Sequence, residues 1–345
     1  MKKFILGLYL LVVVFVLFIL IGGKIKSFGR IFLATQKENN VSYGDLYTIS
    51  ELKAFHLPIP TKKSTNKSNI DEADIFAFGD SFLGSHLGEK NLPSLLEDNL
   101  KMPVYAVPLA VENPLEYLER IHYKKGATKI VIVESVERYA VNRGFAYSAP
   151  IATTVNISSW KKNINDLDYL IFDTTDIDYF FKHNIFINPL RLFLKNLNFS
   201  LFGRIDSRIG AYSLQPPMLF YFEEVNFDKN LRNATLAPKV AKNIKFLGET
   251  LKDKYNLKMI YVVIPNKYTI YNDLDKHGSY NNFIPRLQSE LSKLNVDYVD
   301  LYSRYVANRT NDRPLYYPND SHFAPLGKEI LVEELDKKIK QILKK

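Results

Sequence analysis

From Asp74 onward, short and nearly continuous apolar runs alternate with stretches of helical periodicity, and that alternation leaves few folds open. The runs are Ile75-Phe76-Ala77-Phe78, Val104 to Val107, Lys129 to Val133, Met259 to Ile264 and Val296 to Val299. Apolar runs without polar alternation belong to strands covered on both faces, which is the situation of a parallel sheet between helix layers. Pro114 to Tyr123 reads as a helix between them. Val240, Ile244, Leu247 and Leu251 share one helical face, as do Leu287, Leu291 and Leu294. The last helix carries Leu331, Leu335, Ile339 and Ile342, with Glu333–Lys337 and Glu334–Lys338 as i,i+4 pairs. The expectation is an α/β domain with a mainly parallel sheet. At 345 residues and 46% hydrophobic content the chain can fill such a core.

Ahead of that domain, Met1-Lys2-Lys3 precedes a charge-free apolar stretch from Phe4 to Ile21. As a helix it would be about 27 Å long, close to the hydrocarbon thickness of a bilayer. Its exit, Ile21-Gly22-Gly23-Lys24, lacks the A-x-A pattern of a cleaved signal peptide. Residues 1–23 are therefore expected to be an uncleaved single-pass membrane anchor, with cleavage near Gly23 as the alternative. Lys2 and Lys3 on one side face Lys24, Lys26 and Arg30 on the other, so charge does not choose the orientation. Residues 24–73, polar and interrupted by Pro58 and Pro60, read as a stalk or lead-in, and 74–345 as the main domain.

Between about 139 and 236 the alternation fails. This segment holds Trp160, Tyr169, Phe172, Phe180, Phe193 and Phe220 and is too apolar for a disordered loop. It is expected as an insertion that packs on the sheet domain and walls the site, with most of its rings in the core.

Composition removes several function classes. There is no cysteine, which excludes a thiol nucleophile, disulfides and Cys-based zinc sites. The net charge of +9 is dispersed apart from Lys337, Lys338, Lys340, Lys344 and Lys345, without the basic and aromatic pattern of a nucleic-acid track. His86, five residues beyond Ser81, reads as a helix-surface or core residue, His56, His122, His183 and His277 have no metal-ligand spacing, and Asp71-Glu72-Ala73-Asp74 and Asp273-Leu274-Asp275 lack the spacing of a calcium loop. No metal, cofactor or nucleic-acid partner is expected.

Two segments carry chemistry. In Phe78-Gly79-Asp80-Ser81-Phe82 the serine follows an apolar strand, with Gly79 expected at a tight bend and Ser81 at the start of a helix. In Asn319-Asp320-Ser321-His322-Phe323 the aspartate and histidine lie two positions apart, so on an extended turn their side chains point the same way. A serine hydroxyl needs a base within hydrogen-bond reach, and the base needs a partner that fixes its tautomer. Ser81, His322 and Asp320 can fill those roles. Open α/β sheets place their sites at the carboxyl ends of strands, where Ser81 stands.

These segments, with Val133-Glu134-Ser135-Val136-Glu137-Arg138, Val263-Ile264-Pro265-Asn266-Lys267, Val299-Asp300-Leu301 and Tyr316 to Gly327, resemble the SGNH (GDSL-like) hydrolases. Within them they are similar to the membrane-anchored, extracytoplasmic polysaccharide O-acetyltransferases of the AlgJ/AlgX type, whose signature Asp-x-His-(aromatic)-x-Pro-x-Gly is matched from Asp320 to Gly327. The resemblance implies a three-layer, flavodoxin-like fold, Ser81 as nucleophile, His322 as base and Asp320 as its orienter. It also implies a polysaccharide acceptor, a multi-pass MBOAT-type acyl donor, and a catalytic domain outside the cytoplasmic (inner) membrane. Oxyanion donors are expected at the Ser81 N–H and Asn113, although Glu134-Ser135 stands where the family carries Gly-x-Asn-Asp. Arg138 and Lys267 are candidates for binding a glycan or carboxylate. The same residues serve an esterase, and a non-catalytic glycan-binding subunit is the other alternative.

Overall fold

The computed structural model describes residues 1–33, 41–62, 70–84, 87–88, 90–108, 113–126, 129–147, 175–310 and 312–344. The chain divides into two compact units, residues 1–39 with 152–204, and residues 40–151 with 205–345.

In the first unit the apolar N-terminus forms α1 (Lys2–Lys24), long and apolar enough to cross a membrane. Near its C-terminal end Ile19, Gly22 and Gly23 are buried, the last two under the helix Thr175–His183. A Cβ on Gly22 would lie 2.2 Å from the Phe180 ring and one on Gly23 2.7 Å from the Ile177 Cα, so the glycines set how closely the two helices approach. Phe180 fills this small core with Ile19 and Ile187.

The second unit begins with a small lobe, β1 (Val41–Ser42), α2 (Asp45–Ser50) and β2 (Ile59–Pro60), with β1 and β2 antiparallel. Then follow β3 (Ile75–Gly79), α3 (Ser81–Gly84), α4 (Leu92–Leu100), β4 (Val104–Pro108), α5 (Pro114–Arg120), β5 (Lys129–Val136) and α6 (Glu137–Ala146). In chain order the helices of the first unit, α7 (Thr175–His183) and α8 (Ile187–Phe202), come next. The second unit resumes with a hairpin, β6 (Ile209–Leu214) and β7 (Pro217–Tyr221), and α9 (Phe222–Lys229). It ends with α10 (Ala237–Tyr255), β8 (Leu257–Ile264), α11 (Lys267–Tyr271), α12 (Phe283–Lys293), β9 (Tyr298–Val299), α13 (Leu301–Asn308) and α14 (Pro325–Leu343).

The central sheet has the order β4-β3-β5-β8-β9, and every neighbouring pair is parallel. This is the flavodoxin-like arrangement, with a topological switch where the chain leaves β3 for one side and β5 takes the other. Each strand is apolar on both faces because each face has its own helix layer. Ile75, Ala77, Ile132 and Ile260 pack on one side with Leu96, Leu331 and Leu335. Phe76, Phe78, Val131 and Val133 pack on the other with Ile244, Leu247 and Leu287.

Two expected boundaries move. Within the 24–73 lead-in, residues 41–62 belong to the second unit rather than a stalk, with Leu46, Leu52, Phe55 and Ile59 almost fully buried. The 139–236 segment is not one insertion. Residues 205–236 join the sheet domain, where Phe220 and Phe227 enter its core, whereas 152–204 group with α1. Trp160, Tyr169 and Phe172 lie outside the described residues.

Candidate active site

Ser81 occupies the first position of α3, directly beyond the carboxyl end of β3 and beside the switch point. The bend before it is built differently from the expected glycine turn. Gly79 has no positive φ and ends the strand in register with its neighbour. Its lack of a side chain matters because a Cβ there would lie 2.2 Å from Glu134 Oε2. That oxygen accepts the Asp80 N–H at 2.8 Å. The Asp80 carboxylate accepts in turn from the N–H groups of Phe82 (3.0 Å) and Val136 (3.2 Å) and from the Arg143 guanidinium (3.2 Å). Burial, then the charge of Asp80, pushes the Glu134 carboxyl well above the usual carboxylate range. The Glu134 position is thus occupied by a group that fixes the turn.

The histidine arrives on a tight loop closed by Tyr317 N–H to His322 O (3.1 Å) and Ala324 N–H to Leu315 O (2.9 Å). Pro325 then starts α14, and Gly327 lets that helix pass the loop, since a Cβ there would lie 2.3 Å from Leu315 O. His322 Nε2 lies 2.8 Å from Ser81 Oγ, and His322 Nδ1 lies 2.7 Å from Asp320 Oδ1. Burial opposes ionisation of Asp320, but the hydrogen bond and charge of His322 and the backbone N–H groups of Asp45 and His322 outweigh it, bringing its pKa down to about 2. A carboxylate so strongly ionised can only accept. Nδ1 therefore carries the proton and donates it, and Nε2 is left to accept from the Ser81 hydroxyl. For His322 burial works against the charged ring, yet the Asp320 hydrogen bond and charge win and its pKa is raised above 6.5. Ser81 is exposed at the surface, while Phe82 packs on the His322 ring from beneath, with centroids 4.9 Å apart.

Asp45, in the lead-in lobe, was not singled out from sequence and completes this network. Its N–H donates to Asp320 Oδ2 at 2.8 Å. Its own carboxylate accepts from Ser321 N–H at 2.8 Å and from the Ser321 hydroxyl at 2.5 Å. The backbone beside it fits only glycine. Gly44 has φ +84°, and a Cβ there would lie 2.3 Å from Asn319 O. Asn319 Nδ2 donates to Tyr43 O (2.6 Å) and Leu57 O (2.7 Å), so the lobe grips the loop from both ends. The Tyr43-Gly44-Asp45 turn ahead of an amphipathic run was the available sequence signal.

Asp45, Asp320 and His322 bring possible metal-ligand atoms within 4.8 Å of one another. Their oxygens already accept N–H and O–H donors from one another and from Ser321, so the set is a filled hydrogen-bond network and not a converging array of lone pairs.

Asn113, expected as an oxyanion donor, and Lys267 and Arg138, expected as glycan or carboxylate ligands, are held by partners within the protein. Asn113 is 6% exposed and caps α5, accepting the Leu115 N–H at 3.0 Å and donating one amide N–H to Ala146 O at 3.2 Å. Lys267 is fully buried and donates to the carbonyls of Tyr317 (3.0 Å), Pro318 (3.2 Å) and Asp320 (2.8 Å), which makes it a clamp on the histidine loop instead of a substrate ligand. Burial lowers its pKa to about 8 despite the charges of Glu224, Asp45 and Asp320. Arg138 is held against the fully buried Glu224 at 3.1 Å, and its N–H donates to Asn266 Oδ1 at 3.2 Å. Ala110 and His86 lie outside the described residues.

Comparison with known proteins gives one result. Residues 217–344, which include Lys267, Asp320 and His322, match the family model of an SGNH hydrolase-like domain, acetyltransferase AlgX. No curated protein and no solved structure gives a significant match.

Proposed function

We propose, from the match of residues 217–344 to the family model of an SGNH hydrolase-like domain, acetyltransferase AlgX, that this chain is an extracytoplasmic O-acyltransferase that acetylates a cell-surface or secreted polysaccharide through an acyl-serine. One observation carries the reading: the continuous relay from Ser81 Oγ through His322 to Asp320, with Ser81 open to solvent.

His322 Nε2 takes the hydroxyl proton as Ser81 Oγ bonds to the acyl carbon of the donor. The negative charge on the tetrahedral oxygen faces the Ser81 N–H at the start of α3, the donor we assign to it. The leaving group departs with the proton from His322. A sugar hydroxyl then gives its proton to Nε2 and bonds to the acyl carbon, and Ser81 leaves and regains its hydrogen. Asp320 stays ionised throughout and stabilises the imidazolium that forms in each half-reaction.

Acetyl-CoA lies on the other side of the membrane in this reading, so a multi-pass MBOAT-type acyltransferase delivers the acetyl group. Anchoring by α1 raises the effective concentration of the two machines for each other. The test is purified full-length protein given an acetylated chromogenic ester with and without an oligosaccharide. Acetylated sugar is the expected product; acetate alone under all acceptor concentrations would convert the reading to an esterase.

Two further outcomes follow from the site. Activity needs neutral His322, and its raised pKa puts the acid limb of kcat/KM above pH 6.5, with activity rising as pH rises through that limb. Asp320→Asn removes what raises the pKa, so the limb should move to lower pH while kcat falls on the order of 10³- to 10⁴-fold. A pH profile of both proteins checks it. Asp45→Ala frees Ser321 and should cost about tenfold in kcat, from the ~1.5 kcal/mol carried by a hydrogen bond to a charged group, with KM unchanged. Because the Asp45 charge also raises the His322 pKa, the acid limb should move down here too.

A further inference from the structure

Helix α8 presents its residues the wrong way round for water. Leu190, Phe193, Leu194, Leu197 and Leu201 fall within roughly 100° of arc on one face, and they are 59%, 61%, 53%, 41% and 64% exposed. Asn188, Arg191, Lys195 and Asn196 lie on the other side and are only partly exposed. A helix on a soluble domain shows the reverse, with its apolar stripe on the core and its polar residues outside. The sequence of α8 contains no acidic residue. At its C-terminal end the Arg204 guanidinium lies over the ring of Phe202, 5.5 Å from its centre.

The start of α8 is fixed to the chain that leaves α1. Ile185 N–H donates to Phe32 O at 2.9 Å, Leu33 and Asn184 form an antiparallel bridge, and Asn184 Oδ1 accepts the N–H groups of Phe186 (2.9 Å) and Ile187 (3.2 Å). Just before it, α7 lies in the notch made by Gly22 and Gly23 at the end of the apolar helix. The exposed stripe therefore begins beside the last two turns of α1, where Ile187 packs with Ile19 and Phe32 lies against Phe18.

We propose that α8 lies in the boundary layer of the bilayer that α1 crosses, with Leu190, Phe193, Leu194, Leu197 and Leu201 among the acyl chains and Arg204 at its C-terminal end reaching lipid phosphates. The proposal rests on the reading of α1 as a retained membrane anchor. A long basic side chain beside an apolar face reaches the headgroups while its stem stays apolar, which fits the exposed Arg204. The consequence is a second membrane contact, so the unit is held by a spanning helix and a flat one together.

The test uses the full-length chain in vesicles of phosphatidylcholine and phosphatidylglycerol. Trp160, the single tryptophan, is replaced by Phe, and one Trp is placed at Phe193, at Leu194 or, within α1, at Val14. Emission is compared between ordinary and bromine-labelled acyl chains, and against aqueous iodide. We expect emission at positions 193 and 194 to fall at least twofold in brominated lipid and to resist iodide, as at position 14. Iodide quenching at 193 and 194, with lipid quenching kept at 14, would overturn the proposal in favour of a water-facing helix. Protection from both quenchers would overturn it in favour of a covering protein segment. Loss of lipid quenching at position 14 itself would instead remove the anchor reading on which the proposal stands.

Discussion

Ser81→Ala is expected to lower kcat for acyl transfer on the order of 10⁴-fold or more, because in the proposed mechanism it removes the atom that carries the acyl group between donor and acceptor. The change leaves the fold intact. Ser81 is exposed and its hydroxyl meets His322 at the surface of the relay, so stability should stay within about 0.5 kcal/mol of the parent. That contrast makes the result interpretable: circular dichroism and the thermal midpoint should superimpose while activity disappears. The parent, quenched in acid after brief exposure to an activated acetyl ester, should carry one acetyl group on the peptide containing Ser81, and the variant none. Unchanged acetylation of polymer by Ser81→Ala would make the chain a glycan-binding subunit with a vestigial relay. The alternative of a sugar or water attacking the donor directly, with His322 as base and no covalent step, would leave activity in the variant and no labelled peptide in the parent.

Much of this was written locally in the chain. Ile75 to Phe78, Lys129 to Val133 and Met259 to Ile264 have no polar alternation, and a strand of that kind has no solvent face to offer, so a sheet between helix layers was readable before any contact was known. Ser81 and the Asp320–His322 pair were legible for a similar reason: a strand-end serine and two side chains on the same side of a turn are statements about the next few residues. What sequence could not supply was the identity of partners across large separations. Asp45 meets Ser321 at a separation of 276 residues and Asp80 meets Glu134 at 54. No periodicity encodes either. The same blindness explains Lys267 and Arg138. A cation near a family motif looks like a ligand for an anionic substrate, and only burial shows that its anions or carbonyls come from the protein itself. Gly79 is the reverse case, a correct residue with a wrong reason, since backbone freedom and close approach of another side chain leave the same mark in a sequence.

Arg138 provides the sharpest separation of the two meanings. Glu224 is fully buried and holds Arg138 at 3.1 Å; its other oxygen accepts the Tyr268 N–H at 3.3 Å. Burial raises the Glu224 pKa, and the charge of Arg138 is the strongest influence acting against that rise. Removing the guanidinium leaves the carboxylate either charged without its partner or forced to take a proton, and breaking a buried pair in this way costs about 3–5 kcal/mol. In a domain of this size Arg138→Ala should lower the thermal midpoint on the order of 10 °C. Adding Glu224→Gln should recover most of that loss, because the amide needs no counter-charge and two partners removed together leave no orphan ion. A glycan ligand would behave in the opposite manner. Arg138→Ala would then keep the midpoint, raise KM for the acceptor, and gain nothing from a change at Glu224. The two signatures do not overlap, since one appears in the unfolding curve of the substrate-free protein and the other only in the dependence of rate on sugar concentration.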